Sequence, residues 1–121
     1  MDIEQIREYT LTFPGVTEDM PFGEDFVVFR IEGKIFMCLV LEADEPRLAI
    51  KLSPERNEEL RALFDGITPA WHWNKKHWSD IYYGRFQEEQ LHGWLRESYE
   101  LVLSKLPKAV RTKYYTGEKR L

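Results

Sequence analysis

Apolar positions recur along this chain with two different periods, and the switches between them lay out the elements. Ile3, Ile6 and Leu11 fall near helical spacing, with Asp2 ahead of them as a cap and Gln5 three residues on, so a helix is predicted over residues 2–12. Phe13-Pro14-Gly15 ends it, because Pro14 disfavours a helical backbone at Phe13. An acidic loop is expected over residues 16–23. Two β-branched and aromatic runs follow, Phe26-Val27-Val28-Phe29-Arg30-Ile31 and residues 34–41, joined by the tight turn Glu32-Gly33. That is the pattern of a hairpin. Leu48, Ile50 and Leu52 alternate with Arg47, Ala49 and Lys51, which predicts a third strand with one face in the core and Lys51 pointing outward.

Ser53-Pro54-Glu55 opens the next helix, with Ser53 as its cap, Pro54 in the first position, Leu60, Leu63 and Phe64 as its apolar stripe and Gly66 as its stop. Residues 71–73 and 77–83 read as two further strands joined by Asn74-Lys75-Lys76. The last long helix is predicted over residues 87–106, with Leu91, Leu95, Val102 and Leu106 on its buried side. Pro107 breaks it, and residues 108–115 form a short terminal helix. The order is α-β-β-β-α-β-β-α. A meander of about five antiparallel strands with helices on one face is a two-layer α+β domain.

Length agrees with one such domain. A chain of 121 residues buries roughly two thirds of its unfolded surface and has no room for a second core. We therefore read residues 1–121 as a single unit, with residues 106–121 as its basic C-terminal segment. Hydrophobic residues at 43% and charged residues at 31% exclude a disordered chain. No apolar run approaches the roughly 20 residues of a bilayer span. Met1-Asp2-Ile3-Glu4 is acidic where a signal peptide would be basic, so a cytoplasmic location and no membrane partner are expected. The lone Cys38 inside an apolar run reads as a buried structural thiol. A sheet with two edges can pair through one of them, yet nothing in the pattern requires more than a monomer.

The net charge of −4 is unevenly spread. Residues 1–25 hold seven acids against Arg7, whereas residues 105–121 hold six bases against Glu118. An acidic total weighs against a dedicated nucleic-acid domain, but a local basic face acts within a Debye length of roughly 8 Å. The plainer reading of the basic run is a solvated terminal helix with a frayed end.

Candidate chemistry concentrates in residues 70–84, which hold three of the four tryptophans and two of the three histidines. Lys75 and Lys76 at a turn between strands would meet a phosphate backbone, with Asn74 and His77 adding hydrogen bonds. Lys51, Arg30, Lys108 and Arg111 would extend that positive face. Trp71, His72, Trp73, Trp78 and Phe22 form an expected aromatic groove, able to stack on unpaired bases at roughly 1 to 3 kcal/mol each or to hold a small ligand or peptide. The plainer alternative makes the alternating aromatics core and the lysines a soluble hairpin tip. His72 and His77 match no familiar zinc spacing, and neither a Gly-rich phosphate loop nor a nucleophile elbow occurs. We expect no catalytic residue, no metal and no cofactor.

Several blocks together resemble the MmcQ/YjbR family. They are Pro14-Gly15-Val16-Thr17-Glu18, Pro21-Phe22-Gly23, Val28-Phe29-Arg30-Ile31 with Gly33-Lys34-Ile35-Phe36, Lys51-Leu52, and above all His72 with Asn74-Lys75-Lys76-His77-Trp78. The resemblance spans nearly the whole chain. It departs at Ala70-Trp71-His72-Trp73, where the family usually has Gly-Tyr-His-Met. It implies the same element order, a double-wing motif similar to one in a phage transcription activator, and DNA as partner by analogy of fold. Two functional expectations follow: a DNA-binding domain using a basic and aromatic hairpin, or a small-ligand or protein-interaction module with an aromatic groove.

Overall fold

Helix α1 (Ile3–Leu11) starts where expected, its first backbone amides satisfied by a capping box between Asp2 and Gln5. The computed structural model describes residues 1–119, with side chains described up to Tyr114. Strands β1 (Val16–Asp19), β2 (Phe26–Ile31), β3 (Lys34–Val40), β4 (Arg47–Lys51), β5 (Ile67–Pro69) and β6 (Trp78–Ile81) join one antiparallel sheet in the order β1-β2-β3-β4-β6-β5. The helices α2 (Pro54–Leu63), α3 (Glu88–Ser104) and α4 (Lys108–Lys119) complete the α+β fold, together with a short 3-10 turn at Tyr83–Arg85. Among the described residues no helix is long and apolar enough to cross a membrane.

The sheet has six strands rather than about five. Residues 16–19, expected in the acidic loop, pair with β2 from Val16 opposite Ile31 to Asp19 opposite Val28. Val16 packs against the core, and the two acids of this strand are held in ion pairs, Glu18 by Arg7 and Asp19 by Arg30. The strand expected at residues 71–73 is a bend; its place beside β6 is taken by β5, four residues earlier, with Ile67 opposite Ile81 and Pro69 opposite Ser79. Proline is tolerated there because β5 is an edge strand. The β2–β3 hairpin stands as the sequence indicates: Glu32 at φ 50° and Gly33 at φ 80° give a two-residue turn whose twist matches the strands.

Alternation divides the sheet between two cores. Phe29, Ile31, Met37, Leu39, Leu48, Ile50 and Ile81 face α1 and α3, where they meet Ile6, Leu91, Leu95, Tyr99 and Leu103, all buried. The opposite face carries Val28, Cys38 and Ala49, also wholly buried, although among the described residues no helix packs on them. Their cover is the aromatic segment. Ala70, Trp73 and Trp78 pack on them, with Phe26 and Ile35 at the margin, and the indoles of Trp73 and Trp78 stack at 4.4 Å.

That cover is tied to the helical layer by polar side chains. Asn57, wholly buried in α2, donates to Leu52 O at 3.1 Å and Lys76 O at 3.0 Å and accepts from the Ser79 hydroxyl at 2.6 Å. Arg61 donates from Nη2 to Lys75 O and Trp78 O, both at 2.6 Å, and from Nε to Ser79 Oγ at 3.0 Å. Buried polar groups are retained where every partner is satisfied, and these two side chains satisfy the Leu52, Lys75 and Lys76 carbonyls outside the strands together with that of Trp78 at the start of β6.

Candidate nucleic-acid interface and aromatic groove

Strand register decides which charges share an end of the sheet. Lys34 begins β3, Lys51 ends β4 opposite Trp78, and Leu52 N donates to His77 O at 2.9 Å. The turn Glu32-Gly33, Lys51 and the segment carrying Lys76 and His77 therefore lie at one end of the strands. The C-terminal end of α3 joins them, because Lys34, Lys51, Leu101, Val102, Lys105 and Leu106 line one groove of about 260 Å³. No carboxylate is among those six residues. Helix α4 continues across the same end: Tyr114 donates to Glu32, and its ring lies where a Cβ on Gly15 would come within 2.7 Å. Lys108 and Lys113 are exposed on that helix. Arg111 donates to Ser104 O and Leu106 O at 3.2 Å each, closing the end of α3.

The opposite end is acidic. Asp25, Glu42 and Asp44 stand in the connections that flank Phe26 and Val40, and Asp2 adjoins them in a groove shared with Val40 and Leu41. Glu45 is held by Arg85 through two contacts of 2.6 Å, which keep its carboxyl below the usual range. Charge is thus uneven along the strands: Lys34, Lys51 and Lys105 gather at one end, where Glu32 is held by Tyr114, and Asp2, Asp25, Glu42 and Asp44 at the other, where Arg85 is held by Glu45.

Two residues expected on the positive face are taken out of it. Arg30 donates to Asp19 Oδ1 at 2.8 Å and to Gly33 O at 3.1 Å, so its charge is matched within the sheet. Lys75 does not project with Lys76: its ammonium turns back to Ala70 O at 2.6 Å and Trp71 O at 3.5 Å, holding the bend closed. Asn74 is likewise structural, its Oδ1 accepting from Lys76 N at 2.9 Å and His77 N at 3.2 Å. Of the expected residues, Lys51, Lys76, His77, Lys108 and Arg111 come together at the basic end. Lys105, the first base of the basic C-terminal run, belongs with them, as does Lys34, which was not singled out from the sequence; a lysine directly after the Glu32-Gly33 turn was the available signal.

The expected aromatic groove exists in part. Phe22, Phe26, His72 and Trp73 line a cavity of about 220 Å³ on the sheet face away from the helices. Trp78 lies beneath it at 7% exposure, and Trp71 stands outside at 72%. Below the bend Asp80 is buried, accepting from Trp71 N at 3.0 Å, with Arg47 Nε at 3.6 Å. Burial pushes the Asp80 carboxyl above its usual range, against the pull of the Trp71 amide and Arg47. Burial also pushes the Cys38 thiol up to about 12, which disfavours the thiolate a nucleophile needs. Among the described residues no three His, Cys, Asp or Glu side chains group closely enough to hold a metal ion.

Comparison with known proteins agrees with this geometry. A family model described as YjbR matches residues 11–101. The chain is 34% identical to YbdF of Escherichia coli O157:H7 over 106 residues, covering 87% of each protein. It is 27% identical to YjbR of Escherichia coli K12 over 112 residues, covering 92% of this chain and 95% of that one. Among solved structures, the Deinococcus radiodurans protein DR2400, with domain DUF419, superposes with a TM-score of 0.85 at 33% identity over 93% of this chain and 86% of that one. A Pseudomonas syringae protein follows with a TM-score of 0.72 at 25% identity, over 84% of this chain and 98% of that one. With matches of this length in both sequence and fold, the chain belongs to the YjbR family.

Proposed function

We propose that this chain binds DNA through its basic end. The observation that carries the reading is the groove in which Lys34, Lys51 and Lys105 converge with no carboxylate among its lining residues. Three ammonium groups with mutual repulsion and no ion-pair partner among the described residues are best satisfied by a phosphate, and lysine serves there as a mobile point charge that grips backbone rather than reading sequence. Lys76, Lys108 and Lys113 extend the contact. In the double-wing reading the two projections laid against a duplex are the Glu32-Gly33 turn and the bend carrying Lys76, both at this end. The reading asks no side chain to act as acid, base or nucleophile.

Anisotropy of a labelled duplex, measured at about 0.05 M salt and upward, tests it. Binding is expected to weaken with salt at a slope of about −2.7 if three phosphates are contacted, since each contributes about −0.9. Lys34→Glu/Lys51→Glu/Lys105→Glu is expected to abolish it, while Lys75→Met leaves the slope unchanged. Absence of binding to duplex and single strand at low salt, or unaltered affinity in the triple variant, overturns the reading.

A further inference from the structure

Independently of that reading, we propose that the groove lined by Phe22, Phe26, His72 and Trp73 is an aromatic box for a small quaternary ammonium compound. The four rings meet as two corners. Phe22 and Trp73 lie 5.9 Å apart at 75°, and Phe26 and His72 lie 5.2 Å apart at 78°. Trp73 is fixed from behind by its stack on Trp78, so the box is held open by packing rather than assembled by a ligand. A volume of about 220 Å³ is below the roughly 300 Å³ at which sites begin to enclose drug-sized ligands, which suits a trimethylammonium head with its short tail in solvent.

Charge selects the class of occupant. Glu24 and Asp25 fall between Phe22 and Phe26 in the chain, both exposed, and neither enters an ion pair among the described residues. Arg30 is ion-paired with Asp19 and Arg47 with Asp80, and the Lys75 ammonium is turned to the Ala70 and Trp71 carbonyls, where it keeps its charge. An anion or a nucleotide would meet the two unpaired carboxylates of the loop that carries Phe22 and Phe26. A cation without N–H donors gains from both the ring quadrupoles and those carboxylates, and loses little hydration on entry. A neutral ligand of the same shape gains only the area it buries.

Titration of the full chain with choline, followed by the indole N–H signals, tests the proposal. The control is 3,3-dimethylbutan-1-ol, the same shape with carbon in place of nitrogen. Saturable binding of choline with shifts at Trp73, roughly tenfold tighter than the alcohol, is expected. Phe22→Ala, which removes an exposed ring and leaves the core intact, should weaken choline by roughly fivefold or more, and Glu24→Gln/Asp25→Asn by roughly twofold or more. Equal affinity for choline and the alcohol, no saturation, or Phe22→Ala without effect overturns it. So does a duplex that shifts the Trp73 signal, since the groove would then serve bases instead.

Discussion

At the scale of single residues, Asp80 carries an unusual burden. Its carboxylate is buried on the face of the sheet where no helix packs among the described residues, and there it accepts from the Trp71 amide and lies near Arg47 at a distance too long for a good hydrogen bond. Burial outweighs these attractions and raises its pKa. A carboxyl with a raised folded-state value contributes its full stability at pH below the unfolded value of about 4, and that contribution is lost as pH rises through the folded value. Asp80→Asn keeps an oxygen for the Trp71 amide and cannot ionise. Urea unfolding at several pH values is therefore expected to show the variant gaining on the parent as pH is raised from about 3 to about 7. A variant that loses ground over that range would mean that the attraction to Arg47 dominates.

Elements set the role of the aromatic segment, and here the two neighbouring indoles part company. Trp73 stacks on Trp78 and shields Val28, Cys38 and Ala49, so Trp73→Ala is expected to lower unfolding stability by about 2 kcal/mol; Trp71, outside the cover, should change it by no more than about 0.5 kcal/mol in Trp71→Ala. Chemical denaturation of both variants checks the contrast, and equal losses would contradict it. Sequence pattern revealed the hairpin, the Ser53-capped helix and the long helix because each rests on local signals: a left-handed turn, a side-chain cap, a 3.6-residue stripe. It missed β1 because a four-residue edge strand with Val16 as its one apolar residue, its acids paired to Arg7 of α1 and Arg30 of β2, shows no apolar alternation. It misplaced β5 because aromatic content at residues 71–73 imitated a strand, whereas the Trp71 amide is satisfied by the Asp80 side chain and not by a ladder. The loss of Arg30 and Lys75 from the positive face was illegible for a related reason. Their partners, Asp19 and the Ala70 carbonyl, are set by pairing and bending that no window of sequence contains.

For the whole molecule, separation of charge is what lets a chain of net −4 present a positive surface. Strand β3 runs its seven residues between the two ends, a length of about 20 Å at roughly 3.3 Å per residue. The Debye length is about 8 Å at 0.15 M salt and about 30 Å at 0.01 M. At physiological salt the acidic end is therefore screened from a phosphate docked at Lys34, Lys51 and Lys105, whereas at low salt it repels that phosphate. Neutralising the far end with Glu24→Gln/Asp25→Asn/Glu42→Gln/Asp44→Asn is expected to tighten duplex binding roughly fivefold at about 0.01 M and by less than about twofold at 0.15 M. The parent should accordingly show a shallower salt slope at the dilute end, where repulsion grows alongside attraction, and the variant a straighter one. Equal tightening at both salts would require acids beside the bound phosphate, and with that the assignment of the basic groove as the docking surface would fail.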